Sequence, residues 1–127
     1  MKIKTSELTG ATLDWAVAEI QGINHRIRNG AVVERNLVPC PEKRVGCAVA
    51  HYVGKRFSPS TDWAQGGPII EREHVGMDFC GWGVWEAWDD RAMPAPRYKG
   101  STPLVAAMRC YVASKLGDAV EVPDELS

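Results

Sequence analysis

Apolar positions recur at helical spacing in two stretches of the chain. Leu13, Ala16, Val17 and Ile20 form one stripe, and Leu104, Ala107, Met108, Tyr111 and Val112 form the other. That recurrence marks helices lying on a core. Signals at the ends agree. Thr9 is the N-cap of the first helix, Leu8 staples onto Leu13, and Gly22 stops it, which predicts Thr9–Gln21. Thr102 caps the second, Pro103 takes the first helical position, where a missing N–H costs nothing, and Gly117 follows Leu116. Each helix also has a second apolar face, Ala11, Trp15 and Ala18 on one and Ala106, Cys110 and Ala113 on the other. Both need cover on two sides, from a sandwich within the monomer or from another subunit. A homo-oligomer is the expectation.

Elsewhere the pattern is that of strands and turns. Lys2-Ile3-Lys4 reads as a short edge strand whose lysines discourage further pairing. Asn29-Gly30 is a hairpin signal between His25–Arg28 and Ala31–Leu37. Pro39-Cys40-Pro41 breaks the chain, and Val45–Val53, mostly apolar and β-branched, reads as a buried strand. In Met77–Trp88 the glycines around Trp82 indicate a bulged or tightly bent strand. Asp89-Asp90 turns out of it, and Met93–Gly100, with Pro94 and Pro96, reads as a loop. Val120-Glu121-Val122 is a short strand before an acidic tail. Two capped helices enclosing strands predict an α+β fold, a single domain over residues 1–127 with both helices packed on a mainly antiparallel sheet.

The richest polar chemistry lies in Phe57–Arg72. Ser58-Pro59 is extended, because the proline ring crowds the α region of the residue before it. Ser60 or Thr61 then caps a single helical turn through Asp62, Trp63 and Ala64. Gly66-Gly67 stops that turn, Pro68 forbids its return, and Ile69-Ile70 opens a buried strand. A rigid polar loop between apolar segments is the expected result.

Composition narrows the choice of function. Hydrophobic content of 45% with 24% charged residues belongs to an ordered globular chain. Fifteen Lys+Arg balance sixteen Asp+Glu, and no basic run exists to follow the phosphates of a long nucleic acid. The N-terminus has no signal-peptide pattern and no apolar run reaches membrane-spanning length, so the expected location is the cytoplasm. The four cysteines contain no C-x-x-C pair, and Cys40, Cys47 and His51 match no standard zinc spacing. No metal or cofactor is expected.

Nor does a catalytic set emerge. Asp62 is in position for a general base, but an acid just after Ser60-Thr61 is ordinarily a capping or turn acid. Ser58, Ser60 and Thr61 lack a nucleophile elbow, and Gly66-Gly67 is no P-loop. Trp82, Trp85 and Trp88 offer stacking surface, but Trp in a small protein is first of all a core residue. Arg72 and Arg109 suit bidentate phosphate contact, with an ion pair from Arg72 to Asp62 or Glu71 as the plainer alternative. Hydroxyls, glycine N–H groups, an amide, arginine and aromatics fit recognition better than turnover. The candidate ligand-binding set is Ser58, Ser60, Thr61, Asp62, Trp63, Gln65, Gly66, Gly67, Arg72 and Arg109.

Three pieces of the chain together resemble the NinX-like family of small tailed-phage and prophage proteins. They are MKIKTSELTG at the start with Leu13–Ala18 (LDWAVA), Ser58–Arg72 (SPSTDWAQGGPIIER), and Thr102–Arg109 (TPLVAAMR) with LGD at 116–118 and VPDEL at 122–126. The stretches Ile23–Arg56 and Glu73–Ser101 carry no such motif. The resemblance implies a phage accessory protein made in the bacterial cytoplasm, and it brings no established activity. By analogy with small phage proteins that sequester nucleotide-derived immune signals, the expected partner is a small anionic, nucleotide-like ligand held without turnover. The alternatives are a protein-binding module acting on a host factor and a small nucleotide hydrolase.

Overall fold

The computed structural model describes residues 1–23, 25–28, 30–38 and 51–126. Strand β1 (Lys2–Lys4) and a 3-10 turn over Thr5–Glu7 lead into helix α1 (Gly10–Gln21). The Thr9 N–H donates to Thr12 Oγ1 at 3.1 Å, and Gly22 ends the helix in the left-handed region at φ 67°. Both ends therefore fall where the capping signals put them. Strands β2 (His25–Arg28) and β3 (Ala31–Val38) form the expected hairpin, and β4 (His51–Arg56) pairs along the other edge of β3. Asn29, the Pro39–Pro41 break and residues 45–50 of the expected Val45–Val53 strand lie outside the described residues.

The central stretch departs from its reading. Instead of one turn and a strand, it forms helix α2 (Trp63–Arg72), which runs through Gly66, Gly67 and Pro68 and holds Ile69-Ile70 in helical conformation. Its N-cap is Asp62, not Ser60 or Thr61, and the Asp62 Oδ1 accepts from the Ala64 N–H at 2.9 Å. Proline denies the Ala64 carbonyl its helical donor, but both residues are exposed, which lowers the cost of leaving that carbonyl without one. Gly66 and Ile69, one helical step apart, face the core. Burial of that face outweighs the local stop signals.

Strands β5 (Val75–Gly81) and β6 (Val84–Asp89) turn back on each other at Trp82, so the bend read from the glycines is a full reversal. The expected loop 93–100 ends as strand β7 (Tyr98–Gly100), paired to β6. The prolines rule only its first half. Gly100 sits so near the next helix that a Cβ would lie 2.5 Å from the Ala106 nitrogen. Helix α3 (Pro103–Leu116) follows, and β8 (Ala119–Glu121) pairs antiparallel with β1, Lys2 against Glu121.

Among the described residues the strands make three antiparallel ladders, β1-β8, β2-β3-β4 and β5-β6-β7. Helix α3 is the hub, packed on β5, β6 and β7 and against α1 and α2. Leu8, Leu13, Val17, Val32, Met108 and Val112 are buried in one cluster around it. This is the α+β arrangement predicted from the sequence. Part of each second helical face is covered inside the monomer, with Ala18 and Ala106 fully buried and Cys110 nearly so, while Ala11, Trp15 and Ala113 stay partly exposed. Among the described residues no helix is long and apolar enough to cross a membrane.

Candidate functional site

The turn before α2 is anchored at both ends. The Phe57 N–H donates to the Val32 carbonyl at 2.8 Å, and the Ser58 carbonyl accepts from the Thr61 and Asp62 N–H groups at 3.1 and 2.8 Å. Gln65 reaches back over it, its Oε1 accepting from the Ser58 N–H at 2.6 Å and its Nε2 donating to the Arg56 carbonyl at 3.1 Å. From below, Asp14 of α1 accepts the Ser60 N–H at 2.9 Å. Burial holds the Asp14 carboxyl above the ordinary 3.8, against the lowering effect of Ser60 and the nearby Arg56. Ser60 is itself buried. Its Oγ lies near Asp14 yet makes no well-formed hydrogen bond among the described residues.

This turn forms one wall of a cleft of about 370 Å³. Ser60, Thr61 and Trp63 line it on that side, and Ser101, Thr102, Pro103, Leu104 and Val105 on the other. The N-terminal ends of α2 and α3 therefore meet there. Gly66 lets them meet, since a Cβ on it would lie 2.5 Å from the Pro59 carbonyl oxygen and 2.6 Å from Leu104 Cδ2. Thr102 Oγ1 accepts from the Val105 N–H at 3.1 Å. The Trp63 and Leu104 N–H groups have no acceptor among the described residues. Trp63 stands 53% exposed above the apolar wall of Pro103, Leu104 and Val105.

A second, more open cleft of about 570 Å³ lies where the C-terminal ends of all three helices converge, lined by Ile20, Gln21, Ile23, Arg72, Glu73, Tyr111 and Lys115. Glu73 is surrounded by cations there, with Arg91 Nη2 at 2.9 Å, Arg72 Nε at 3.7 Å and Lys115 Nζ at 3.8 Å. Asp89 pairs with Arg91 at 3.1 Å, and that pairing holds its carboxyl below the ordinary 3.8.

The structure thus divides the residues singled out from the sequence. Ser60, Thr61 and Trp63 share the first cleft, and Arg72 lies on the second. Ser58, Asp62 and Gln65 brace the turn, and the Gly66 N–H is engaged with the Asp62 carbonyl at 2.9 Å. Gly67 has open space around it. Arg109 is a clamp, its Nε donating to the Leu8 carbonyl at 2.8 Å and its Nη1 to the Lys99 carbonyl at 2.7 Å. Partial burial lowers its pKa. Trp88 is pinned under Arg97 at 4.3 Å and donates to Asp90 at 2.6 Å, Trp85 packs on Phe79, and Trp82 stands in water. The wall Ser101–Val105 was missed, although Thr102-Pro103 announced a helix N-terminus, the one local signal able to point there. Cys40 and Cys47 lie outside the described residues.

The chain is thus a small α+β domain with a cleft, lined by hydroxyl and apolar residues, between the N-terminal ends of two helices. The model of the family described as Bacteriophage P22, NinX matches residues 4–115, and the chain belongs to that family. No curated protein matches it.

Proposed function

We propose that this phage protein binds a small nucleotide-like ligand in the cleft between α2 and α3 and holds it without turnover, sequestering it in the host cytoplasm. One observation carries the reading: an exposed indole shares the cleft with an apolar wall, while two helix N-termini and four hydroxyl residues close the same 370 Å³ space. A flat ring suits Trp63, and an oxyanion suits the N–H groups. Among the described residues the cleft lining holds no His, Cys, Asp, Glu or Lys to act as a base, which favours retention over hydrolysis. The full chain is incubated with a panel of cyclic and ADP-ribose-type nucleotides, washed, and heated to release what it holds. Recovery of an intact nucleotide supports sequestration, and an altered one indicates a hydrolase. No retention removes the proposal.

A second reading, a protein-binding module acting on a host factor, has its own support. Trp82 is 100% exposed at φ 56°, a conformation that is uncommon for a bulky residue, and Phe79 on the same hairpin is 55% exposed. An indole wholly in water adds nothing to the fold. The same hairpin is where a second copy would dock in a homo-oligomer. Trp82→Ser is expected to leave the melting temperature unchanged, and loss of a host protein or of self-association on that substitution would favour this reading.

A further inference from the structure

We propose that a second copy of this chain pairs along the outer edge of β5, antiparallel and about a two-fold axis at Phe79, joining two three-stranded sheets into one. The inference is independent of the nucleotide cleft, and it gives a particular geometry to the second reading, in which the β5–β6 hairpin docks a second copy. It starts from the hydrogen-bond pattern. The Asp90 N–H donates to the His74 carbonyl at 3.1 Å, and the register sets Val75 against Asp89 and Phe79 against Trp85. Hydrogen-bonded pairs alternate along an antiparallel ladder, so Gly76 and Asp78 turn their backbone groups to β6. Val75, Met77 and Phe79 turn theirs away from it, to a side where β5 has no neighbouring strand among the described residues.

The two edges of this sheet differ. On β7 the same alternation turns only Lys99 outward, and its carbonyl is taken by Arg109 Nη1 at 2.7 Å. Strand β5 is seven residues long and carries neither Lys nor Pro, the usual guards of an edge. Its first half is half-buried, and Asp78, Phe79 and Cys80 are exposed. Symmetry then selects the register. An axis at Asp78 sets two carboxylates directly opposite each other, which is destabilising. An axis at Met77 lays the second strand along the half-buried part. An axis at Phe79 uses the exposed part, sets Asp78 against the neutral Cys80 of the second copy, and brings Phe79 beside its own counterpart. Phe79 already packs on Trp85 with ring centroids 5.2 Å apart, so four aromatic rings then cross the joined sheet. That self-complementarity commits the edge to a copy of itself. The register shift between Phe79 and Gly81 bends the strand just past the axis and keeps the new ladder short. The outer strands of the joined sheet are the two β7 strands, each closed by Arg109, so assembly stops at two copies and does not run on into a fibre.

The test is light scattering on the full chain at about 5 and about 500 μM, with amide hydrogen exchange followed residue by residue at both. A short ladder makes a small interface, so a dissociation constant of roughly 10 μM is expected. The mass should rise from near 14.0 kDa towards twice that value. Exchange at the Met77 and Phe79 amides should slow by at least roughly threefold at the higher concentration, while the Asp78 amide, already bonded to β6, changes little. Phe79→Lys alters a side chain that is 55% exposed and puts two ammonium groups at the axis. It is expected to stay monomeric at the higher concentration with an unchanged melting temperature. A mass of 14.0 kDa for the wild type at both concentrations overturns the proposal together with docking of a second copy on the hairpin. A dimer whose Met77 and Phe79 amides gain no protection, or one that persists in Phe79→Lys, overturns the edge pairing alone and leaves that docking to be sought at Trp82.

Discussion

The two ends of the α2–α3 pair answer opposite helix dipoles with different chemistry. At the C-terminal end the outward carbonyls meet formal charge: Arg72, Arg91 and Lys115 gather on Glu73, an acid that alone would be unfavourable at that end of a helix. At the N-terminal end the N–H groups meet small hydroxyls, one capping carboxylate and open space. A self-neutralised network leaves little for a ligand to supply. An under-supplied pair of helix ends leaves a role open. Arginine content alone points to the C-terminal end, where Arg72 already belongs to the network.

The sharpest way to break this contrast is to fill the contact that forms the N-terminal cleft. Gly66→Ala drives a methyl into the Pro59 carbonyl and Leu104, and a loss on the order of 1–3 kcal/mol in urea denaturation is expected despite alanine's better helix propensity. Gly67→Ala, with nothing within 4 Å, is expected to stabilise by about 0.5–1 kcal/mol. Equal effects would mean that the two helix ends do not touch as described.

Next in size is Asp14→Ala, expected to cost about 1–3 kcal/mol because the buried Ser60 N–H loses its acceptor. The two ends should also differ in their response to acid. Asp14 has a folded-state pKa raised above 3.8, so the folded chain binds that proton more readily than the unfolded one. Wild type therefore gains stability relative to Asp14→Asn as pH falls through the raised value towards 3.8. Asp89, held below 3.8 by Arg91, contributes stability above that value and loses it as pH falls further. Stability curves of wild type against Asp14→Asn and Asp89→Asn should slope in opposite senses, and parallel slopes would contradict the contrast.

Glu73→Gln removes the shared carboxylate, with an expected loss of about 1 kcal/mol that shrinks when denaturation is repeated at high salt. A loss that salt leaves unchanged would make Glu73 a packing residue. Arg72→Ala is expected to have the smallest effect. Arg72 is 57% exposed and its pairing is long, so stability should stay within about 0.5 kcal/mol and nucleotide retention should not change. Lost retention in that variant would move the site to the other cleft.

How much of this was legible follows from where each signal resides. The ends of α1 and α3 are written locally, in Thr9 and Gly22 and in Thr102, Pro103 and Gly117. Helix α2 was misread because Gly66-Gly67-Pro68 punctuates a chain seen one residue at a time, while the burial of Ile69 and the Gly66–Leu104 approach are tertiary facts. β7 was hidden for a related reason, since its partner Ala87 lies across a proline-rich segment. At the site the turn wall was legible, because its hydroxyls and indole are adjacent in sequence. The opposite wall comes from a distant helix, and no local pattern says which helix end faces which turn. Once α2 is helical, Arg72 lies roughly 14 Å along the axis from Trp63, too far to share a small ligand.

The pairing of β1 with β8 imposes an order on biosynthesis. Met1 is made long before Val122, yet its carbonyl accepts the Val122 N–H at 2.8 Å, and Leu8 waits for the Arg109 side chain at 2.8 Å. Joining such distant segments adds little entropy beyond that of a moderate loop, so the delay is one of time more than of stability. A ribosome that stalls before Arg109 holds a chain whose strand β1 has no partner and whose Leu8 lacks its seal. Such a chain displays an unpaired edge to proteases, while a chain read through to Val122 conceals it.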